Sequence, residues 1–377
     1  MIALSWPQVS ARRLERAGLG AELARTGPGE VVAAMCGAHA QVMSAAEVSV
    51  GLRLAGATRA HVRAALRPGG ELVKTYGPRG TVHVLPARDL ATWVSALSSL
   101  PAGRNPFAPS VRLTPEQTER VVAAITEAVA DDELTIDELS DRVVDLAGPW
   151  AGDLVMPAFG GNWPRWRQAM HLAAHRGAFV FGAGRGRKVT YTAPPAAAPV
   201  SVEDGLGELV RGYLTAYGPA TPEQFAQWAG GPVRWAARAF EGAGLEEVLF
   251  EGRPAWVVAG DTAVPEEPPR GVRLLPYFDA YVVAGRPREL LYPGAAAARA
   301  LNRGQAGNFP VLLVDGVVAG VWHQRRSGDR LDVTVEPLHE LGPERERELE
   351  ERVERLGEVL EARPRLTIGT VTVGAHA

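Results

Sequence analysis

The stretch ELVKTYGPRGTVHVL (residues 71–85) sets two runs of β-branched, aromatic and apolar residues on either side of Gly77-Pro78-Arg79-Gly80. Such runs about a Gly/Pro turn predict a β-hairpin. Upstream of it, apolar residues recur at helical spacing over 10–18, 30–38, 45–55 and 58–66;. Helices followed by a two-stranded hairpin form the winged-helix pattern, a variant of helix-turn-helix in which one helix enters a DNA groove. The same order returns twice. AFVFGAGRGRKVTYT (178–192) follows helices that open at Thr114, Thr135 and Pro164, and EEVLFEGRPAWVV (246–258) follows helices over 202–217, 221–228 and 232–241;. One such match carries little weight, but three at intervals of roughly ninety residues read as a tandem array.

Beyond residue 262 the pattern changes. DTAVPEEPPRG is a proline-rich linker, and VRLLPYFDAYVV, PVLLVDGVVAGVWHQ and DRLDVTVEPL then read as strands, with Asp315-Gly316 the strongest short hairpin signal in the chain;. A charged amphipathic helix over about 343–361 closes this β-rich unit, which reads as a partial barrel;. The expected architecture is therefore α+β: modules over 1–100, 101–198 and 199–262, then a β-rich domain over 263–377.

A length of 377 residues fits several modules rather than one core;. No long apolar span and no leader is read, so neither a membrane segment nor a secretion signal is expected. The single cysteine, Cys36, excludes an internal disulfide and fits a reducing cytoplasm;. The net charge of −3 conceals an asymmetry. Residues 340–363 hold nine acidic and five basic side chains, a net of −4, leaving about +1 elsewhere. Lys74 and Lys188 are the only lysines, so arginine supplies nearly all positive charge. A GC-rich genome would produce the same bias.

Two basic clusters stand out. The helix PRWRQAMHLAAHRG carries Arg165 and Arg167, and the hairpin beyond it carries Arg185, Arg187 and Lys188. The segment HQRRSGDR (323–330) places Gln324, Arg325, Arg326 and Arg330 at a hairpin tip. Both patterns suit phosphate and groove contacts. A solvated helix face and a charged edge that deters aggregation produce them equally well. No metal site is expected, because His171 and His175 lack the glutamate of a metalloprotease helix;. GAGRGR (182–187) is no dinucleotide loop, since it lies inside a hairpin.

The segment MCGAHAQVM (35–43) ends an apolar run in His39-Ala40-Gln41. In a helix, residues i and i+2 diverge by about 200°, whereas in an extended segment both address one side. The pair either satisfies a helix end, which Gly37 would terminate, or performs chemistry.

Several stretches together resemble the AlkZ-like (also called YcaQ-like) winged-helix DNA glycosylases, a family that includes enzymes unhooking interstrand crosslinks. They are SARRLERAGL, GAHAQVMSAAEVSVGLR, YGPRGTVHVLPARDL, YLTAYGPATPEQFAQWAG, LLPYFDAYVVAGRPR and VLLVDGVVAGVW. The resemblance covers nearly the whole chain. It implies three tandem winged-helix modules followed by a C-terminal β-barrel-like domain, and a monofunctional glycosylase acting on alkylated or crosslinked purines in double-stranded DNA. No cofactor is implied, and a cytoplasmic monomer is expected. The family's catalytic signature is Gln, an apolar residue, then Gln or Asp. His39-Ala40-Gln41 falls at that place, matching at Gln41 and departing at His39. The pair would position water at the sugar C1′, with His39 able to accept a proton near physiological pH in its ordinary state. Arg79, on the first hairpin turn, joins the expected DNA contacts. The alternatives are a winged-helix regulator without activity, and a structural or toxin-sequestering protein.

Overall fold

In the computed structural model, which describes all residues except 1, 21–26, 102, 104, 106, 159 and 377, the opening stretch forms the expected hairpin. Leu72–Tyr76 pairs antiparallel with Val82–Pro86, and the short strand Ala38–His39 adds to the outer side of Val82–Pro86. Two further three-stranded sheets follow. One joins Leu134–Thr135, Thr190–Thr192 and Val180–Phe181. The other joins Leu245–Phe250 and Arg253–Val258 to Ala3–Leu4, which pairs in parallel from the far end of the chain.

Local chemistry starts the helices where the sequence signals them. Thr114, Thr135 and Thr221 each accept a hydrogen bond from the backbone three residues on, and Gln117, Glu138 and Gln224 reach back to complete capping boxes;. Each box satisfies donors that a helix start leaves without partners.

The units do not stack as separate beads. Val31, Met35, Val50, Leu85 and Leu97 of the first unit share one core with Val210, Tyr213, Phe225 and Phe240 of the third. The second unit keeps its own core around Ile125, Leu139, Trp166 and Phe179. Its third helix is preceded by an unforeseen exposed hairpin, Leu154–Ala158 with Gly161–Pro164, and begins as a 3-10 turn, Arg165–Ala169, before Met170–His175.

The β-rich region is a five-stranded sheet curled into a half-barrel. Its order runs Val272–Leu275, Val311–Val314, Val317–Ser327, Arg330–Pro337, Arg363–Ile368, and the last strand is parallel to its neighbour. Asp315 and Gly316 both have positive φ (50° and 82°), as the Asp-Gly hairpin requires;. The run VRLLPYFDAYVV is not one strand. Pro276 lacks the N–H a ladder needs, the strand stops at Leu275, and Asp279 caps a helix, Ala280–Ala284, by accepting from Tyr281 N at 3.0 Å;. The helix Gly342–Leu360 packs Leu349, Val353 and Leu356 onto the sheet. No helix among the described residues is long and apolar enough to cross a membrane.

Candidate active site

The helix Pro28–Ala34 stops short of the His-Ala-Gln motif. Cys36 (φ 49°) and Gly37 (φ 88°) turn the chain, and a Cβ on Gly37 would come within 3.0 Å of Leu85. The backbone then runs extended: His39 lies opposite His83, and Ala40 N donates to Val82 O at 2.8 Å. Ala40 is buried while Gln41 is exposed, so the two polar side chains flank a buried anchor instead of capping a helix;. Gln41 Oε1 accepts from Val82 N at 3.4 Å.

The state of His39 follows from its neighbours. Thr81 Oγ1 lies 2.9 Å from the carbonyl of Pro78, which can only accept, so the hydroxyl proton goes there;. The same oxygen lies 3.1 Å from His39 Nε2 and therefore accepts from it. That leaves Nδ1 as the unprotonated nitrogen, and it is buried with no hydrogen-bond partner among the described residues. The ring stacks on Phe278 (5.1 Å, 20°) and meets His83 at 4.7 Å. Burial, helped by the positive charge of Arg79, pulls the His39 imidazole down to about 3. This corrects the expectation of a base titrating near neutrality. His39 is a neutral acceptor at physiological pH.

Two more histidines hold the same turn. His83 Nδ1 donates to Thr81 O and His175 Nε2 donates to Gly77 O, each at 2.9 Å. Burial lowers His83 well below its ordinary value and His175 to about 4. Residues 77–81 are thus fixed by neutral imidazoles from two units.

Arg79 sits at the tip of this turn with φ 60°, exposed, and donates to the carbonyl of Trp228. The other basic candidates lie apart from the motif in their contacts. Arg165 pairs with Asp153 (3.0 Å), Arg185 with Glu138 (2.8 Å) and Lys188 with Asp137 (3.3 Å). Arg167 lies 4.0 Å over the ring of Trp163, on the unforeseen hairpin, and Arg187 is exposed without a carboxylate partner among the described residues. At the long hairpin, Arg326 donates to Leu360 O at 2.7 Å and Arg330 pairs with Asp332 at 3.2 Å, whereas Arg325 is exposed and forms no ion pair with a described residue. Gln324 Oε1 is buried without a partner among them. The residues that sequence reasoning missed at the motif are Thr81, His83 and Phe278. Thr81 and His83 lie inside the opening stretch, where they served only as strand signals, and Phe278 comes from the other end of the chain.

A family model described as DNA glycosylase AlkZ-like matches residues 32–359. The chain belongs to the AlkZ-like DNA glycosylase family. Enzymes so named are hydrolases acting on N-glycosyl bonds. Among curated proteins it is similar to an interstrand DNA cross-link repair glycosylase of Streptomyces sahachiroi, 29% identical over 334 residues that cover 84% of this chain and 87% of that protein. Among solved structures it is similar to the DNA glycosylase AlkZ of Streptomyces sahachiroi, with a TM-score of 0.81 and 27% identity, covering 98% of this chain and 100% of that one.

The low pKa of His39 has a kinetic signature. Nδ1 is half protonated only near pH 3, so single-turnover base release is expected to stay flat from about pH 5.5 to 8;. An acid limb centred between about pH 6 and 7 would show an ordinary, solvated imidazole in its place.

Proposed function

We propose that this family member hydrolyses the N-glycosidic bond of purines alkylated at N7 or N3 in double-stranded DNA, with His39 and Gln41 positioning the attacking water. The observation that carries the reading is the unpartnered acceptor Nδ1 of His39 beside Gln41, at the place of the family's catalytic motif. Alkylation makes the purine cationic, so the C1′–N bond breaks with its electron pair moving onto the base and needs no general acid. The sugar gains oxocarbenium character, water forms the C1′–O bond, and its proton passes to Nδ1. Water bonded to such a carbon is strongly acidic, so a base as weak as His39 suffices. Gln41 contributes a carbonyl oxygen that orients the water but accepts no proton. An undamaged, neutral base would leave poorly from such a site, which confines the chemistry to lesions.

The similar Streptomyces protein is named for interstrand cross-link repair, and crosslinks through alkylated purines are substrates of the same chemistry. In this reading the three helix-and-hairpin units are winged helices over 1–100, 101–198 and 199–262, with Ala3–Leu4 contributed to the third sheet, and 263–377 is the barrel-like domain. The enzyme acts as a cytoplasmic monomer without a cofactor. Arg165, Arg167, Arg185, Arg187 and Lys188 are DNA contacts that must first give up, in three cases, an acidic partner. Gln324, Arg325, Arg326 and Arg330 belong to a groove-entering hairpin, with Arg325 its most accessible cation. A regulator without activity has no observation in its favour.

The test incubates the protein with N7-alkylated and crosslinked duplexes and follows free base and heat-labile abasic sites. Release of base with an intact sugar–phosphate strand is expected. Binding to both duplexes without any base release would overturn the reading.

A further inference from the structure

Three arginines from two segments gather at the turn that precedes Thr81. Arg79 comes from the turn at 78–80, and Arg286 and Arg288 follow the helix Ala280–Ala284. Neighbouring residues at the end of the helix Pro222–Ala229 hold the first two: Trp228 O accepts from Arg79, and Gln227 Oε1 accepts from Arg286 Nε at 3.0 Å. Arg288 donates to Val282 O and to Val283 O (2.7 Å). Gly230 (φ 84°) presses on the turn, since a Cβ there would come 2.9 Å from Arg79 Cα. The cluster is therefore seated on two helix ends. Elsewhere several cations meet acids, Arg12 and Arg16 at Asp261, Arg53 at Asp279 and Arg345 at Asp315, while the buried Arg13 is held by the carbonyls of Gly218, Pro219 and Arg286. Among the described residues, no carboxylate forms an ion pair with Arg79, Arg286 or Arg288. Two helix C-termini supply at most roughly one negative charge against three positive ones. Desolvation lowers all three guanidiniums, Arg79 and Arg288 to about 10, and Arg79 and Arg288 also feel the repulsion of Arg286, whose own charge is favoured by Glu289. Arg286 and Arg288 are half-buried while Arg79 keeps an exposed side, so their like charges are only partly screened and an anion that joins them from the open side is favoured;. Nη2 of Arg79 and of Arg286 donates to no atom of the described residues, leaving donors for it.

We propose that Arg79, Arg286 and Arg288 form the seat of one phosphodiester of the damaged strand, adjacent to His39. The proposal rests on the glycosylase reading and assigns that site its strand register. Each deoxyribose lies between two phosphates, so a phosphate gripped beside His39 determines where C1′ stands, and guanidiniums suit its oxygens through paired N–H donors. The same turn carries Arg79 at its tip and Thr81, the partner of His39, so grip and chemistry share one rigid element.

The experiment measures duplex binding against salt and single-turnover base release for the full chain and for Arg286→Gln, with thermal unfolding as the control for folding. Without the Arg286 guanidinium to neutralise a phosphate, the log–log salt slope should fall by roughly 0.7–0.9 and base release should slow by about tenfold or more. A folded Arg286→Gln with the native slope overturns the seat. Where Arg286→Gln does not fold, Arg286→Lys replaces it, keeping the charge but losing the paired donors. A near-native slope with slowed release then supports the seat, and native release overturns it. His39→Ala separates the two claims, since it should abolish most release and keep the native slope. Full activity of His39→Ala would remove the catalytic reading, whatever Arg286 does.

Discussion

Asp279→Ala is expected to lower stability by about 3–5 kcal/mol, as removal of one partner from a fully buried ion pair does. Asp279 is 1% exposed and Arg53 0%. The carboxylate takes two guanidinium bonds of 2.8 Å, one to each oxygen, and a third bond from Ser49 Oγ at 2.5 Å. Arg53 directs further donors to Ala17 O (2.7 Å) and Ser49 O (2.8 Å). Alanine at 279 leaves a guanidinium buried without its anion and a helix start without its cap;. The pair also joins the first unit to the β-rich domain immediately beside Phe278, which stacks on His39. Urea unfolding of the variant should show the loss, and Arg53→Met added to Asp279→Ala should recover part of it by removing the stranded charge. A shift below about 1 kcal/mol would mean that water reaches the pair and screens it.

The double variant His39→Ala with Gln41→Ala is expected to release alkylated base roughly 10²–10⁴-fold more slowly than the native enzyme, the scale of positioned proton-accepting groups. Each single alanine should slow release by at least about tenfold, equivalent to roughly 1.4 kcal/mol of barrier. Duplex affinity should stay within about twofold, because neither side chain carries charge at neutral pH. His39→Gln, which restores the family's usual residue, should retain activity within about tenfold of native. The amide oxygen keeps the hydrogen bond that orients the water, and the proton, strongly acidic once the oxygen is bonded to C1′, then passes to solvent instead of to Nδ1. Single-turnover assays with N7-alkylated duplex measure all four. Native rates in both single alanine variants would free the pair of any catalytic role.

The legible part of this protein is the part governed by near neighbours along the chain. Thr114, Thr135 and Thr221 announce helices because a capping box closes over three residues;. The turns at Gly77–Gly80 and Asp315-Gly316 announce hairpins because left-handed backbone is demanded locally;. Where the local signal was ambiguous, reading failed. The apolar run at 272–283 looked like one strand, because periodicity cannot separate a short strand from a short buried helix, and only Pro276 and the Asp279 cap divide it;. The hairpin of Leu154–Ala158 and Gly161–Pro164 went unseen because its exposed strands bury no alternating face.

The sequence by itself determined the α+β class, the helix starts at Thr114, Thr135 and Thr221, and the hairpins at Gly77–Gly80 and Asp315-Gly316. Tertiary structure alone decided what the candidate site residues are chemically. Thr81 lies 42 residues from His39 and selects its free nitrogen. Phe278 comes from the opposite end of the chain to cover the ring. Asp153, Glu138 and Asp137 neutralise arginines and a lysine that composition alone left free. Gln227 holds Arg286 from 59 residues away. Caps and turns are settled by backbone geometry over a few residues. Tautomer, pKa and the availability of a charge depend on which groups folding brings within a few ångströms, and sequence spacing carries no measure of that distance.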